Sequence, residues 1–314
     1  MRNSYRRQKG VALITAILMV SLATIAAVSM ANRQQIDIRR TGNFLHHEQA
    51  RSFVEAAESW AQVILIRDAA NSTIDTLEED WATTAPVSSV EGGSISGKLV
   101  DLQGRFNLNN LYDSSNNAEH ILSVDYFRRL LINLNLNQDL VDALIDWIDE
   151  NIEPKFPGGA EDSEYLSRDP TYRASNQYLV NITELLLIKG FDHNIVEKLQ
   201  PFVCVLPEFS PINVNTAPAE VLQALGAALS VADAEALINA RGQTGYADTA
   251  GFLSQPNATG INADMVTVDS FWFRLLGVAA VGQARAEMTS KIQRTASSDI
   301  RVVSREWVLR EPMN

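Results

Sequence analysis

Between Asp139 and Asp169 the chain places ten carboxylates and two basic side chains, Lys155 and Arg168, a local net charge of −8. Self-repulsion at that density calls for a counter-charge. A hard cation such as Ca²⁺ supplies one, taking six to eight oxygens from carboxylates and backbone carbonyls. Two other readings use the same residue types. A carboxylate pair can do general acid–base work. A solvated acidic loop binds nothing, and then Asp146 is a helix-face charge and Asp149 a helix-end residue.

Asp149-x-Asn151-x-Glu153 has the opening of an EF-hand loop, but the pattern then breaks. Pro154 stands where the turn glycine belongs, and Ala160 where the bidentate glutamate would be. Glu161 and Asp162 follow, just past the Gly158-Gly159 turn. The segment is therefore an irregular acidic loop and not an EF-hand.

The flanking pattern supplies a scaffold. Helical spacing covers about 121–135, 138–148, 182–189, 192–203, 218–226 and 231–241. Apolar–polar alternation predicts a strand over 94–111 and more strands over 268–281, 284–294 and 300–309. Residues 71–93 read as a loop. One early and three late strands predict a small antiparallel sheet interrupted by a helical block, an α+β fold.

The N-terminal region sets where this body sits. Residues 1–10 carry only positive charge, Arg2, Arg6, Arg7 and Lys9, and end in Gly10. Val11–Ala31 is then free of charge, long enough to span a bilayer, with the basic flank on the cytoplasmic side. A plain anchor, a secretory signal cut after Ser29-Met30-Ala31, and a prepilin leader cut between Gly10 and Val11 all fit that layout. Only the last needs the abrupt Gly10/Val11 boundary. Beyond it, Phe53, Ala56, Ala57, Trp60, Val63, Ile64 and Arg67 form a helical stripe, and no proline precedes Pro86. One helix from about Leu13 to about Arg67 follows, its first half in lipid and its second half backing the sheet, with Gly42 the one candidate break. Small residues such as Ala16, Ser21 and Ala23 permit close helix approach in lipid.

The 314-residue chain has a net charge of −12; without residues 1–10, 22 basic side chains face 38 acidic ones. That balance disfavours nucleic acid and anionic headgroups. It bears on 212–252, whose layout is similar to a helix-hairpin-helix of competence-type DNA receptors. Thr216 is a candidate cap there, with Pro218 in the first turn. The hairpin reads Leu225-Gly226-Ala227-Ala228-Leu229 and lacks the second glycine of a phosphate-binding turn. The segment reads as a packing module. With one cysteine, Cys204, no internal disulfide forms. His46, His47, His120 and His193 fall in no nucleophile or metal motif.

The ordered set "KGVALITAILMV", "DLQGRFNLNNL", "DWIDEN…GGAEDSEYL", "YRASNQ", "TELLLIKG", "LPEF", "INVNTAPAEVL" and "INARGQTGY" resembles the minor pseudopilin K family (GspK) of type II secretion. The resemblance spans nearly the whole chain. It implies a pilin-like fold, a long N-terminal helix on a small antiparallel sheet, with a large inserted all-α domain of two SAM-like, helix-hairpin-helix-like parts. The division it implies is a leader (1–10), the transmembrane half of the helix (11–32), the first part of the body (33–110), two α-parts (111–206 and 207–265) and the final strands (266–314).

The resemblance also implies a role. A prepilin peptidase cuts after Gly10 and methylates Val11. The protein is a single-pass protein of the bacterial inner membrane, N-terminus cytoplasmic and body periplasmic. It joins minor pseudopilins I and J in a tip complex that starts pseudopilus assembly and faces secreted cargo or the secretin. Filament-shaft pilins carry glutamate as the fifth mature residue; here that residue is Thr15, which suits a subunit with no neighbour ahead. The resemblance implies structural Ca²⁺ held by Asp146, Asp149, Glu161 and Asp162. Asn151, where relatives often have aspartate, keeps an oxygen and loses a charge. A membrane-anchored DNA-binding competence receptor and a type IV minor pilin are the alternatives; an anchored hydrolase, or any other enzyme, has the least support.

Overall fold

The computed structural model describes residues 9–113, 118–295 and 299–308. Residues 1–8 of the basic leader and the end of the predicted last strand at residue 309 lie outside them.

Helix α1 runs unbroken from Lys9 to Asn71, 63 residues and about 95 Å at 1.5 Å per residue. Gly42 does not interrupt it. Its first half exposes Val11, Leu13, Ile14, Ile17 and Leu18, an apolar surface suited to lipid. Its second half packs on a five-stranded antiparallel sheet. The strands are β1 (Ala85–Val90), β2 (Gly93–Asp101), β3 (Trp272–Val281), β4 (Ala284–Arg294) and β5 (Ile300–Trp307), and they lie side by side in that order. Residues 102–271 are inserted between β2 and β3.

Three readings of the sequence around the sheet need correction. Strand β1 falls within 71–93, read above as loop. Pro86, Ser88 and Ser89 erase the alternation there, as suits an edge strand bonded on one side only. The strand predicted over 94–111 ends at Asp101; Phe106–Asn107 pairs in parallel with Val203–Cys204, and Leu108–Leu111 is a 3₁₀ turn. The buried stripe of α1 is Ala50, Val54, Ala57, Ala61 and Leu65, offset from the predicted one. Trp60 is 60% exposed and lines a cleft of about 320 Å³ beside Pro86 and Ile95. The reason is close approach. At the crossing, a Cβ on Gly277 of β3 would stand 3.0 Å from Val54 Cγ1, so the contact face takes small residues and the indole is displaced to its edge.

The insertion has one continuous core running from Phe106 to Val266. It contains α2 (Ile121–Asn133), α3 (Leu140–Ile148), α4 (Asp162–Tyr165), α5 (His193–Leu199), α6 (Ala219–Ala224), α7 (Val231–Arg241) and α8 (Thr249–Leu253). Its two halves are bonded directly: Tyr126 Oη donates to Val221 O at 2.6 Å and Arg129 Nε to Ala224 O at 2.6 Å. Buried asparagines replace missing strand bonds. Asn107 accepts from Leu206 N at 2.9 Å, Asn109 donates to Leu179 O and Leu206 O, and Asn110 exchanges two bonds with Ser210.

Insertion and sheet meet at Asp101. Its carboxylate accepts from Gln103 N (2.7 Å), Thr216 Oγ1 (2.5 Å), Ser270 Oγ (2.7 Å) and Asn213 Nδ2 (3.3 Å). Burial raises its pKa, and those donors oppose the rise. Thr216 therefore binds Asp101 and does not cap a helix. Pro218 holds the N-cap position of α6.

Candidate functional site

All nine residues of α3 are buried. Spacings of four and three put Asp142, Asp146 and the helix-end Asp149 along one face, and residues 150–161 fold back over it. Trp147 meets Tyr165 edge-to-face at 5.2 Å, which clamps α3 to α4.

Each predicted ligand has a distinct setting. Asp146 is fully buried; its Oδ2 accepts from Lys155 N at 3.0 Å and Ala160 N at 2.8 Å. Burial pushes its pKa up to about 6 against those two N–H groups. Asp149 is 1% exposed and accepts from Asn151 N at 3.2 Å, an Asx turn. Glu161 is 3% exposed, and neither carboxylate oxygen has a hydrogen-bond partner. Burial, then the charges of Asp146, Asp149 and Asp162, raise it to about 7. Asp162 lies at the edge, accepting from Ala174 N at 3.1 Å with Arg173 at 3.4 Å. Asn151 and Glu153, the EF-like positions, are exposed. Asp142 pairs with Arg128 at 3.0 Å through Oδ1 and accepts from Gly158 N of the loop at 3.3 Å through Oδ2.

Glu161 decides what the site can do. A buried carboxylate with two empty oxygens, beside two more buried carboxylates, is costly unless protonated or bound by a cation. The backbone wraps too tightly for a side chain: a Cβ on Gly159 would collide with the Asp146 carboxylate and the Lys155 backbone. Lys189 Nζ reaches the Gly159 carbonyl at 3.2 Å. This donor set, carboxylates and carbonyls with no sulfur or imidazole, fits a hard cation of the calcium class. The four predicted ligands are distributed over α3, its end and the start of α4, and no three of them bring carboxylate oxygens within 4.8 Å of one another. Among the described residues, the three-carboxylate group with oxygens within 4.8 Å of one another is a different one, Asp68, Asp75 and Glu79.

Sequence reasoning gave no role to Asn176. Its backbone is left-handed (φ 47°), its N–H donates to Trp147 O at 3.0 Å, and its buried Oδ1 accepts nothing. The signal was an asparagine in a turn, at the end of "YRASNQ".

Gly10 and Val11 lie in the first turn of α1. Four residues on, the Thr15 hydroxyl donates to Val11 O at 3.1 Å and Ala12 O at 3.0 Å. That polar group is satisfied inside its own helix and needs nothing from outside. The 212–252 hairpin offers no cation to phosphate through Arg241, whose guanidinium donates to Val214 O and Ala217 O.

Comparison with known proteins agrees with this architecture. Residues 104–208 and 212–269 each match a family model described as "Type II secretion system (T2SS), protein K". Type II secretion system protein K of Pseudomonas aeruginosa is 35% identical, over 96% of this chain and 93% of the relative. That of Klebsiella pneumoniae is 34% identical, over 92% and 93%. A chain of the solved GspK–GspI–GspJ complex from enterotoxigenic Escherichia coli superposes with a TM-score of 0.77 at 29% identity, covering 86% of this chain and 100% of that one.

Proposed function

Because this chain belongs to the type II secretion system protein K family and is a minor pseudopilin, we propose that it stands at the tip of the pseudopilus and starts filament assembly there with minor pseudopilins I and J. The observation that carries the tip position is Thr15. A carboxylate at this depth would need a partner from the next subunit; the Thr15 hydroxyl is satisfied by Val11 O and Ala12 O. The insertion of residues 102–271 supports the same reading, since its bulk suits an end of a filament better than its shaft.

The chain is then a structural subunit of the inner membrane with a periplasmic body. A prepilin peptidase cuts between Gly10 and Val11 and methylates the new amine. Calcium binds the acidic loop through Asp146, Asp149 and Glu161, with Asp162 at its margin. It supplies the positive charge that holds the 150–161 segment on α3.

The test is to purify the assembled complex from native membranes, sequence the N-terminus and gold-label the pseudopili. A mature chain starting at N-methylated Val11, recovered with I and J and labelled at filament ends, is the expected result. Label along the shaft, or a chain that keeps Met1, would overturn the reading.

A further inference from the structure

Away from the acidic loop, three carboxylates meet where α1 ends. Asp68 lies in its last turn, and Asp75 and Glu79 lie in the segment that follows. One oxygen of each lies within 4.8 Å of the others. Arg294 of β4 answers part of this charge, donating to Asp68 Oδ2 at 2.7 Å and Asp75 Oδ2 at 2.5 Å. Ser270 N donates to the same Asp75 oxygen at 2.7 Å. The other oxygen, Asp75 Oδ1, has no hydrogen-bond partner in a residue only 1% exposed.

One guanidinium against three carboxylates leaves two negative charges unbalanced. The last turn of α1 contains no basic residue, so the negative end of the helix dipole adds to the deficit. The carboxylate of Asp101 raises it further. Carboxylate oxygens this close repel one another unless a cation or a shared proton lies among them.

We propose that Asp68, Asp75 and Glu79 hold a hard divalent cation of the calcium class, at a site separate from the acidic loop. Arg294 is bonded through the Oδ2 atoms, which leaves Asp75 Oδ1 for the ion. Glu79 is only half-buried, which gives the ion a path from solvent. The position gives the ion a mechanical role. Asp75 N donates to Val268 O at 2.8 Å, and Asp75 O accepts from Asn213 Nδ2 at 3.1 Å. An ion here ties the end of α1 to the segment by which the chain leaves the inserted domain and to Asn213 within it, and stiffens the joint between insertion and sheet.

Trp81 gives the test its signal, because its indole N–H donates to Glu79 Oε2 at 2.9 Å. The full chain in detergent, carrying Glu161→Gln to weaken the loop, is titrated with Tb³⁺ at pH 8 under tryptophan excitation. Saturable emission that Ca²⁺ displaces is expected. Adding Asp75→Asn should weaken Tb³⁺ binding by about tenfold or more. Glu79→Gln at the half-buried rim is the second variant, should the first fail to fold by circular dichroism. A flat titration, as a proton shared by Asp68 and Asp75 would give, overturns the proposal. So does Tb³⁺ binding unchanged in the folded variants.

Discussion

Gly159 lies directly over the carboxylate of Asp146, so close that any side chain at 159 would occupy the space of that carboxylate and of the Lys155 backbone. A carboxylate that receives two backbone N–H bonds and a glycine that folds over it form a single unit. Gly159→Ala should therefore displace the loop from α3. The expected loss is about 3 kcal/mol, because the clash is with the Lys155 backbone and with an Asp146 carboxylate held by two backbone N–H bonds, neither of which can move aside freely. Urea denaturation of the full chain in detergent would measure it. A loss below about 0.5 kcal/mol would show that the loop relaxes freely and that the packing argument is mistaken.

In the proposed calcium site, calcium removal and pH act on the same carboxylates. Glu161 and Asp146 are raised to about 7 and about 6 when folded, from ordinary values of 4.5 and 3.8. In ion-free protein the folded state thus binds these protons more tightly than the unfolded state. Their contribution to stability is fully present below about pH 4 and is lost as pH rises to about 7. A bound cation displaces the protons and removes that loss. The calcium-dependent rise in melting temperature should accordingly grow from pH 5 to pH 8. At 100-fold excess over Kd it corresponds to about 2.7 kcal/mol, several degrees for a body of this size. Glu161→Gln should flatten the pH dependence and shrink the calcium effect. Scanning calorimetry with calcium and with chelator reads both, and a calcium shift that falls toward pH 8 would contradict the assignment.

What the sequence disclosed and withheld follows from where each determinant lies. The long helix was legible because the apolar run, the stripe and the lack of proline are local properties of α1. Its buried face was not. Ala50, Val54 and Ala57 are chosen by how closely Gly277 lets the sheet approach, and that glycine lies more than two hundred residues away. Strand β1 escaped because Pro86 and its serines make hydrogen bonds without an apolar pattern. The ten carboxylates were plain to see, but their ranking was not: Glu161 is buried and Glu153 exposed only because the chain doubles back at Gly158-Gly159. Asn176 entered from outside the acidic stretch altogether.

The last strand is tied to α1 by an ion pair. Arg305 of β5 grips Glu58 of α1 in a bidentate contact, Nε to Oε2 and an Nη2 to Oε1, both at 2.8 Å. Glu58 is 3% exposed and also accepts from Ser290 Oγ at 2.6 Å. Arg305→Ala leaves that buried carboxylate without its counter-ion. Half of the arginine side chain is exposed, so solvent screens the pair and the cost should be about 1–2 kcal/mol, below that of a fully buried pair. Lysine keeps the charge without the planar fork and should recover only part of it. Hydrogen exchange should show β5 losing protection while α3 is unaffected; equal loss across the chain would mean that β5 does not open separately.

Thr15 offers a test of the proposed tip position. Thr15→Val removes the hydroxyl, and with it two bonds internal to the helix, without introducing a charge. Cargo secretion by cells carrying it as the sole copy should be near normal. Thr15→Glu places a carboxylate near the end of the span. If the proposed tip position holds, no subunit ahead offers an amine, and that charge costs about 1–3 kcal/mol in lipid. Secretion should fall, and less of the chain should be recovered with its partners, at equal membrane abundance. If the glutamate variant instead secretes as well as the parent, an amine partner is present at this position. The chain would then have a neighbour ahead of it and belong within the shaft.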